Sequence, residues 1–305
     1  MRFAFTKCHG SGNDFPLIDA RAIKLDDRDW ARVARALADR NGPVGGDGLL
    51  LLVAGDDEHA FGMRMFNSDG SEAETCLNGL RCVARAGFEA LGMDAARVKL
   101  KTSSAQVARE ATLAPGVVTI RTIVGPASTE LADIGLKGAL SELPSDRGFT
   151  AVAMPNPHLV AFVDAVDEAE LVALGEYCEA GPALIPGRAN VSFVELRGGD
   201  LFVRTFERGV GLTDSCGSAM AASVLSAGLT GRVPLGTVVR VFNKGGLVRG
   251  RAGADRIVTI SGNATFLYDA DIEIDLATGR IEAPAINALR EDEAGAWNAA
   301  VAALG

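Results

Sequence analysis

The feature that most constrains this chain is a register stated twice. Arg64-Met65-Phe66 leads through a polar, Gly-containing turn to Thr75-Cys76, and Arg204-Thr205-Phe206 leads through a Gly-rich turn to Ser215-Cys216. In both copies the Phe stands ten residues before the Cys, and a residue favoured at helix N-caps stands directly before the Cys. Each copy reads as the end of a strand, a turn, and a cysteine at the mouth of a helix, with Thr75 and Ser215 as the expected caps. The chain is therefore expected to comprise two related halves, each presenting one thiol at a helix start. Its 305 residues suffice for two domains with sizeable cores.

Apolar periodicity fills in the rest. Residues 3–7 and 15–18 read as short strands around a polar loop, 9–14, and a helix follows with Trp30, Val33, Ala34 and Leu37 on one face. The loop 41–48 holds four glycines but lacks the Lys-Ser/Thr of a phosphate-binding loop. Strands are expected at 49–53, 61–66, 98–102, 106–110 and 117–123, then at 160–163, 191–196, 201–206, 238–242, 257–261 and 264–267. The segment 125–148 reads as irregular, and a helix is expected over 167–179. After Cys76, the residues Leu80, Val83, Ala84, Gly87, Phe88 and Leu91 form an apolar stripe, with Arg81, Arg85 and Glu89 facing away and Gly92 as the C-terminal cap. After Cys216 the segment 217–227 is small or apolar nearly all round, the pattern of a buried helix, with Gly228 placed to cap it. A last helix is expected from the spacing of Leu289, Trp297, Val301 and Leu304. Many short strands and few helices, without regular alternation, point to an α+β fold rather than a doubly wound sheet.

Composition excludes several function classes. Net charge is −9 with no long basic run, which argues against nucleic acid and against membrane surfaces as partners. The first residues turn polar too soon for a signal peptide, and no apolar run reaches the length of about 18 residues needed to span a bilayer. Five scattered cysteines, an odd number, then read as free thiols in a reducing cytoplasm.

A helix N-terminus carries unpaired N–H groups and positive partial charge. It lowers the pKa of a nearby cysteine from about 8.5 towards neutrality, and its amides bind carboxylates. Two such ends facing each other would grip one carboxylate and set a thiolate and a thiol on opposite faces of the neighbouring carbon. One cysteine would remove the α-proton and the other return a proton from the far side, with the amides stabilising the carbanion. A single cysteine at a helix start is ordinarily a small core residue; the shared register lifts Cys76 and Cys216 above that reading. A resting disulfide is disfavoured in a reducing compartment. No metal site is expected, because Cys76 and Cys82 are not metal-spaced and the only histidines are His9, His59 and His158.

The segments from Phe5 to Phe15, Asp39-Arg40 through Gly46-Asp47-Gly48-Leu49-Leu50, Phe66-Asn67-Ser68-Asp69-Gly70-Ser71, Asn156-Pro157-His158, Asn190-Val191-Ser192-Phe193 and Glu207-Arg208-Gly209-Val210-Gly211 together resemble the diaminopimelate epimerases. The resemblance runs from residue 3 to about 267. It implies an α+β fold of two pseudo-symmetric domains, each a strand-rich mixed sheet or barrel around a central helix, with the active site in the cleft between them. The expected domains are 1–122 with Cys76, joined by the C-terminal segment 265–305, and 123–264 with Cys216. The resemblance further implies a cofactor-free isomerase that interconverts LL- and meso-diaminopimelate, serving lysine and peptidoglycan precursor synthesis, with Cys76 and Cys216 as the acid–base pair. By the same resemblance Asn13, Asn67, Leu77, Asn78, Asn156, Asn190, Glu207, Arg208, Gly217 and Ser218 bind the substrate, and His158 supports the site. Arg208 has an independent logic, since a guanidinium fork suits a carboxylate. The expected partner is the small-molecule substrate alone, with a homodimer as the assembly to test.

The chain departs from the family pattern at Leu77, Pro155, Leu212 and Ala219. Leu77 still offers a backbone N–H and Ser218 a hydroxyl, whereas Leu212 stands where the family commonly has a carboxylate. The nearest alternative is a racemase or epimerase of another amino acid that likewise works without pyridoxal phosphate. A catalytically idle binding protein is the alternative of another class, and it would not need both thiols reduced.

Overall fold

The computed structural model describes residues 1–303. The chain forms two compact units, one of Met1–Thr122 with the segment from Ser261 onward, the other of Ile123–Ile260. In the first, β1 (Arg2–Gly10) and β2 (Asn13–Asp19) form a hairpin. Its two-residue turn sets Ser11 and Gly12 at φ 52° and 83°, the pair of positive values that matches the twist of a tight hairpin. Ser11 lacks glycine's freedom, and its N–H is held by Asn263 Oδ1 at 2.7 Å. The helix α1 (Asp27–Ala38) begins where the Asp26 carboxylate accepts the Asp29 N–H at 2.8 Å, and it buries Trp30, Val33, Ala34 and Leu37. It is the crossover from β2 to the parallel β3 (Gly48–Asp56), which turns back as the antiparallel β4 (His59–Asn67). Then β5 (Glu72–Ala73) hooks onto the end of β4 and α2 (Leu77–Leu91) follows. The strand β6 (Ala95–Lys99) lies parallel to β4, and β7 (Ser104–Glu110) lies antiparallel to β6. The strand β8 (Thr119–Val124) leads on into the second unit.

The second unit repeats this plan after a short helix, α3 (Leu131–Ile134). Its first strands, β9 (Phe149–Ala153) and β10 (Pro157–Val163), pair antiparallel. The helix α4 (Glu168–Glu179), capped by Asp167, crosses to the parallel β11 (Asn190–Arg197), and β12 (Asp200–Glu207) turns back antiparallel. A short β13 (Gly211–Thr213) hooks onto β12, and α5 (Gly217–Leu229) follows. The strand β14 (Val239–Asn243) lies parallel to β12 and β15 (Gly246–Ala252) antiparallel to β14. The doubled register of the sequence is thus a doubled topology within an α+β fold.

The chain then runs through β16 (Val258–Asn263) into β17 (Thr265–Glu273), which pairs along β1 from Arg2↔Glu273 to His9↔Thr265. After β18 (Ala285–Leu289), α6 (Glu291–Ala302) lays Trp297 against the His9 ring at 5.7 Å. None of the described helices is long and apolar enough to cross a membrane.

Several local expectations are corrected. Thr75 and Ser215 are not the helix caps; Cys76 and Cys216 occupy those positions themselves. Arg81 and Arg85 do not face away from the core. Both are buried, Arg85 by pairing with Glu293 at 2.9 Å and donating to the Ala264 carbonyl at 2.8 Å. Leu91, by contrast, is 40% exposed. Gly92 does cap α2, at φ 68°. Gly228 lies inside α5, which ends at Leu229 with Thr230 as its cap. A Cβ at Gly228 would come within 2.4 Å of Leu235, so the glycine answers a packing need. Leu289 belongs to the exposed β18, not to the last helix, and Leu304 lies outside the described residues. The strand β15 was not expected, because Gly246 and Gly250 interrupt its apolar alternation.

Trp297 is 4% exposed and is the one buried side chain of α6, so it carries the docking of that helix. Trp297→Ala should lower the unfolding free energy by roughly 3–5 kcal/mol, the usual cost of emptying a large aromatic site. Urea titration followed by circular dichroism checks this; an unchanged midpoint would show that the indole adds nothing to the fold.

Candidate active site

In the first unit β5 turns the chain so that Cys76 takes extended angles, φ −148° and ψ 106°, directly before α2. Its carbonyl accepts the Leu80 N–H at 2.8 Å and its sulfur accepts the Gly79 N–H at 3.4 Å. The half-buried thiol lies 3.7 Å from Asn13 Oδ1, which also accepts from Asn78 Nδ2 at 3.5 Å. Asn13 Nδ2 donates to Asp47. Asp47 pairs with Arg40 at 2.6 Å, Arg40 with Asp14 at 2.6 Å, and Asp14 with Lys7 at 2.6 Å. Lys7 and Arg40 hold the Asp14 carboxyl below its usual range against the opposing effect of burial. This charged lattice fastens the glycine-rich loop 41–48 to the first hairpin and fixes Asn13 beside the thiol. The loop therefore has a positioning task, carried by Asp47, that the sequence reading missed. A carboxylate set among four glycines was the available signal.

Asn67 ends β4, and its amide donates to Ser71 Oγ at 2.9 Å within the turn that precedes Cys76. Leu77 is buried, as is Asn78, whose Oδ1 accepts from Arg81 Nη2 at 2.9 Å. Asn78 is engaged by protein groups at both ends of its amide, so its side chain is a brace for Asn13.

In the second unit Cys216 precedes α5 at φ −123° and ψ 112°, and its carbonyl accepts the Met220 N–H at 3.0 Å. Its sulfur lies 3.5 Å from Ser218 Oγ. Ser218 Oγ accepts from Asn156 Nδ2 at 3.3 Å, and Asn156 Oδ1 lies 3.1 Å from His158 Nε2. Asn190 Nδ2 approaches the same ring nitrogen at 3.5 Å and donates to the Pro157 carbonyl at 3.2 Å, while Asn190 Oδ1 accepts the Arg208 N–H at 2.9 Å. Cys216, Ser218, Asn156, His158, Asn190 and Arg208 thus form one continuous polar chain, with Gly217 as the first helical residue. The parallel register His158↔Asn190 in β10 and β11 brings two of its members side by side.

Electrostatics separates the groups. Burial, with the Arg208 charge adding to it, pulls His158 down to about 3, so its imidazole is neutral. Burial above all, and then the Glu207 carboxylate, push the Cys216 thiol well up. The Ser218 hydroxyl and the Ala219 amide favour the thiolate, but they do not prevail. The amide does so without completing a capping hydrogen bond. The expected drop towards neutrality therefore fails for Cys216: at 8% exposure, desolvation outweighs the helix end. Glu207 itself accepts the Thr213 hydroxyl at 2.5 Å. Among the described residues no group of three or more His, Cys, Asp or Glu is gathered as for a metal ion. All five cysteines are unbridged.

A family model described as diaminopimelate epimerase matches residues 5–119 and 150–267. The chain is 36% identical over 284 residues to a diaminopimelate epimerase of Clostridium acetobutylicum, covering 88% of this chain and 85% of that protein. It is 36% identical over 296 residues to one of Listeria innocua, covering 90% and 89%. Two solved structures share its fold at low identity. One is a hydroxyproline epimerase from Agrobacterium vitis, with TM-score 0.62 and 14% identity over 99% of this chain and 98% of that one. The other is a phenazine biosynthesis protein from Bacillus anthracis, with TM-score 0.63 and 13% identity over 90% and 100%.

Removing the Glu207 charge should make the Cys216 thiolate easier to form. In Glu207→Gln the pH midpoint of Cys216 alkylation by iodoacetamide, read by peptide mass spectrometry, should move down by roughly one unit. An upward move would mean that the carboxylate does not act on this sulfur.

Proposed function

The chain belongs to the diaminopimelate epimerase family, and from that premise we propose that it interconverts LL- and meso-2,6-diaminopimelate with Cys76 and Cys216 as the acid–base pair. The observation that carries the reading is the doubled one: in each unit a thiol occupies the N-cap of a buried central helix, with polar side chains fastened to it. The N–H groups of a helix start suit the α-carboxylate of an amino acid. One sulfur, as thiolate, takes the α-proton. The electron pair left on carbon spreads into the carboxylate, whose growing charge those amides stabilise, and the second thiol delivers a proton to the opposite face. One C–H bond breaks, another forms and nothing is oxidised, so the step balances with the two thiols and the substrate alone. Cys216 is suited to begin as the donor, because burial and Glu207 keep it protonated. When the other isomer is bound, Glu207 is the neighbouring acceptor for its proton.

The distal amino-acid end of the substrate needs donors and acceptors of its own, since burying it unpaired would cost several kcal/mol. Asn13, Asn67, Asn156, Asn190 and Arg208 are the proposed set. Arg208 is exposed and spends one Nη1 N–H on the Gly187 carbonyl at 3.2 Å. The unbridged thiols suit a reducing compartment, and we place the enzyme in the cytoplasm, serving lysine and peptidoglycan precursor synthesis as a homodimer. Light scattering tests the assembly.

Cys76→Ala and Cys216→Ala should each reduce epimerisation roughly 10²–10⁴-fold with the circular dichroism spectrum unchanged. Proton NMR of diaminopimelate in D₂O reads the exchange, and full turnover in either variant would end the two-thiol mechanism. Arg208→Met should cost roughly 2–5 kcal/mol in kcat/KM by unpairing the distal carboxylate. Short amino acids should be poor substrates for both proteins. If the wild type racemised one of them faster than diaminopimelate, the substrate assignment would fall and the two-thiol chemistry would stand.

A further inference from the structure

The helix α2 carries a charge that the proton-transfer scheme does not use. Arg81 lies one turn inside the helix and is 0% exposed. Its guanidinium donates to the Asn263 carbonyl at 3.0 Å, to Ser11 Oγ at 3.0 Å and to Asn78 Oδ1 at 2.9 Å, all neutral acceptors. Its Nη1 is buried without a hydrogen-bond partner. Among the described residues no carboxylate pairs with it, and the nearby groups that favour its charge are the sulfurs of Cys82 and Cys76. Burial pulls it down to about 10, so it remains charged at neutral pH. The surroundings are shaped for it. A Cβ at Gly262 would lie 2.7 Å from its Cζ, and one at Gly10 would lie 2.9 Å from its Nη2. Two glycines therefore flank a buried cation, an arrangement costly to maintain unless a negative charge forms nearby.

The repeated register sharpens the comparison. Five residues after Cys76 stands Arg81; five residues after Cys216 stands Ala221, buried in α5. The residue after Phe66 is the neutral Asn67, and the residue after Phe206 is Glu207. Each unit thus carries a charge that the other lacks at the matched position, a cation in the first and a carboxylate in the second. Divergent settings of this kind separate acid from base in paired titratable groups.

We propose that Arg81 is a positioning residue for the epimerisation, holding Asn78 in place and making Cys76 the resting thiolate while Cys216 rests as the thiol. This rests on the reading of Cys76 as an acid–base group. The charged and titratable groups of the first hairpin and of α6 near Arg81 are engaged or neutral. On the first hairpin Lys7 and Asp14 are paired with each other at 2.6 Å. His9 is neutral, pulled down to about 4 by burial. The Cys8 thiol is pushed well up by burial and by Cys82, its neighbour on α2. On α6, Glu293 is taken by Arg85 at 2.9 Å. Arg81 is the cation left over.

The test is the pH profile of alkylation of each thiol by iodoacetamide in the intact protein, read by peptide mass spectrometry without substrate. In the wild type the Cys76 midpoint should lie below the free-thiol value of about 8.5 and below that of Cys216. In Arg81→Met it should rise by about one unit or more, with kcat down roughly ten-fold and KM changed far less. Arg81→Lys, which keeps a cation, should recover part of both. A folded Arg81→Met protein with the wild-type Cys76 midpoint overturns the proposal, because a purely structural arginine would alter stability alone. If that variant does not fold, the wild type decides: a Cys76 midpoint at or above the free-thiol value, or above that of Cys216, overturns it equally. Since alkylation is read without turnover, this failure is distinct from that of the acid–base reading, which falls if Cys76→Ala remains fully active.

Discussion

Both sites depend on the fact that the first N–H groups of a helix have no partner inside the helix. On a surface helix water meets that need. Here α2 and α5 are buried along most of their length, and the residue at the cap is a cysteine. Sulfur is a weak acceptor as a thiol and a strong one as a thiolate, so each helix start is satisfied better when its cysteine is ionised. Desolvation pulls the other way. The chemistry of each site is decided by which neighbouring charges tip that contest, and the two units are furnished differently on this point.

The polar chain of the second unit shows how such furnishing is built. Neighbouring strands set His158 beside Asn190, the turn after β12 brings the Arg208 N–H to Asn190, and the first turn of α5 brings Ser218 to Asn156. Three separate secondary structures meet through side-chain amides, each of which can donate and accept at once. In the first unit the same task falls to ions: Lys7, Asp14, Arg40 and Asp47 hold Asn13 from behind. A network of several charges shares its ordering cost, so it holds geometry better than isolated pairs at a surface.

Much of this was legible beforehand because apolar periodicity and the doubled register are local signals. The helices α1, α2, α4 and α5 and the strands β3, β4, β11 and β12 follow from spacing alone. Other features were illegible for physical reasons. Arg81 and Arg85 sit on positions that a helical wheel assigns to solvent, yet β16, β17 and α6 return to cover them, with Asn263, Ala264 and Glu293 as their partners. A wheel records the helix and not what is laid upon it. The caps were misplaced by one residue because Thr75 and Ser215 outrank cysteine in general preference, whereas the hooks β5 and β13 fix where each helix begins. The rise in the Cys216 thiol could not be foreseen without knowing its burial.

The pairing of β1 with β17 has a consequence for how the molecule comes into being. On the ribosome β1 finds its long partner only when residues Thr265–Glu273 have been made. The second unit, contiguous from Ile123 to Ile260, has all its strands available earlier. Vectorial synthesis therefore inverts the order of the chain: the segment made first must wait, with the hydrophobic flank of β1 uncovered, while the segment made later can finish. Contacts of such long sequence separation are slow to form and leave strand edges open meanwhile. Between the emergence of Phe3 and the arrival of Ile272, its partner in the ladder, that edge of β1 stands open.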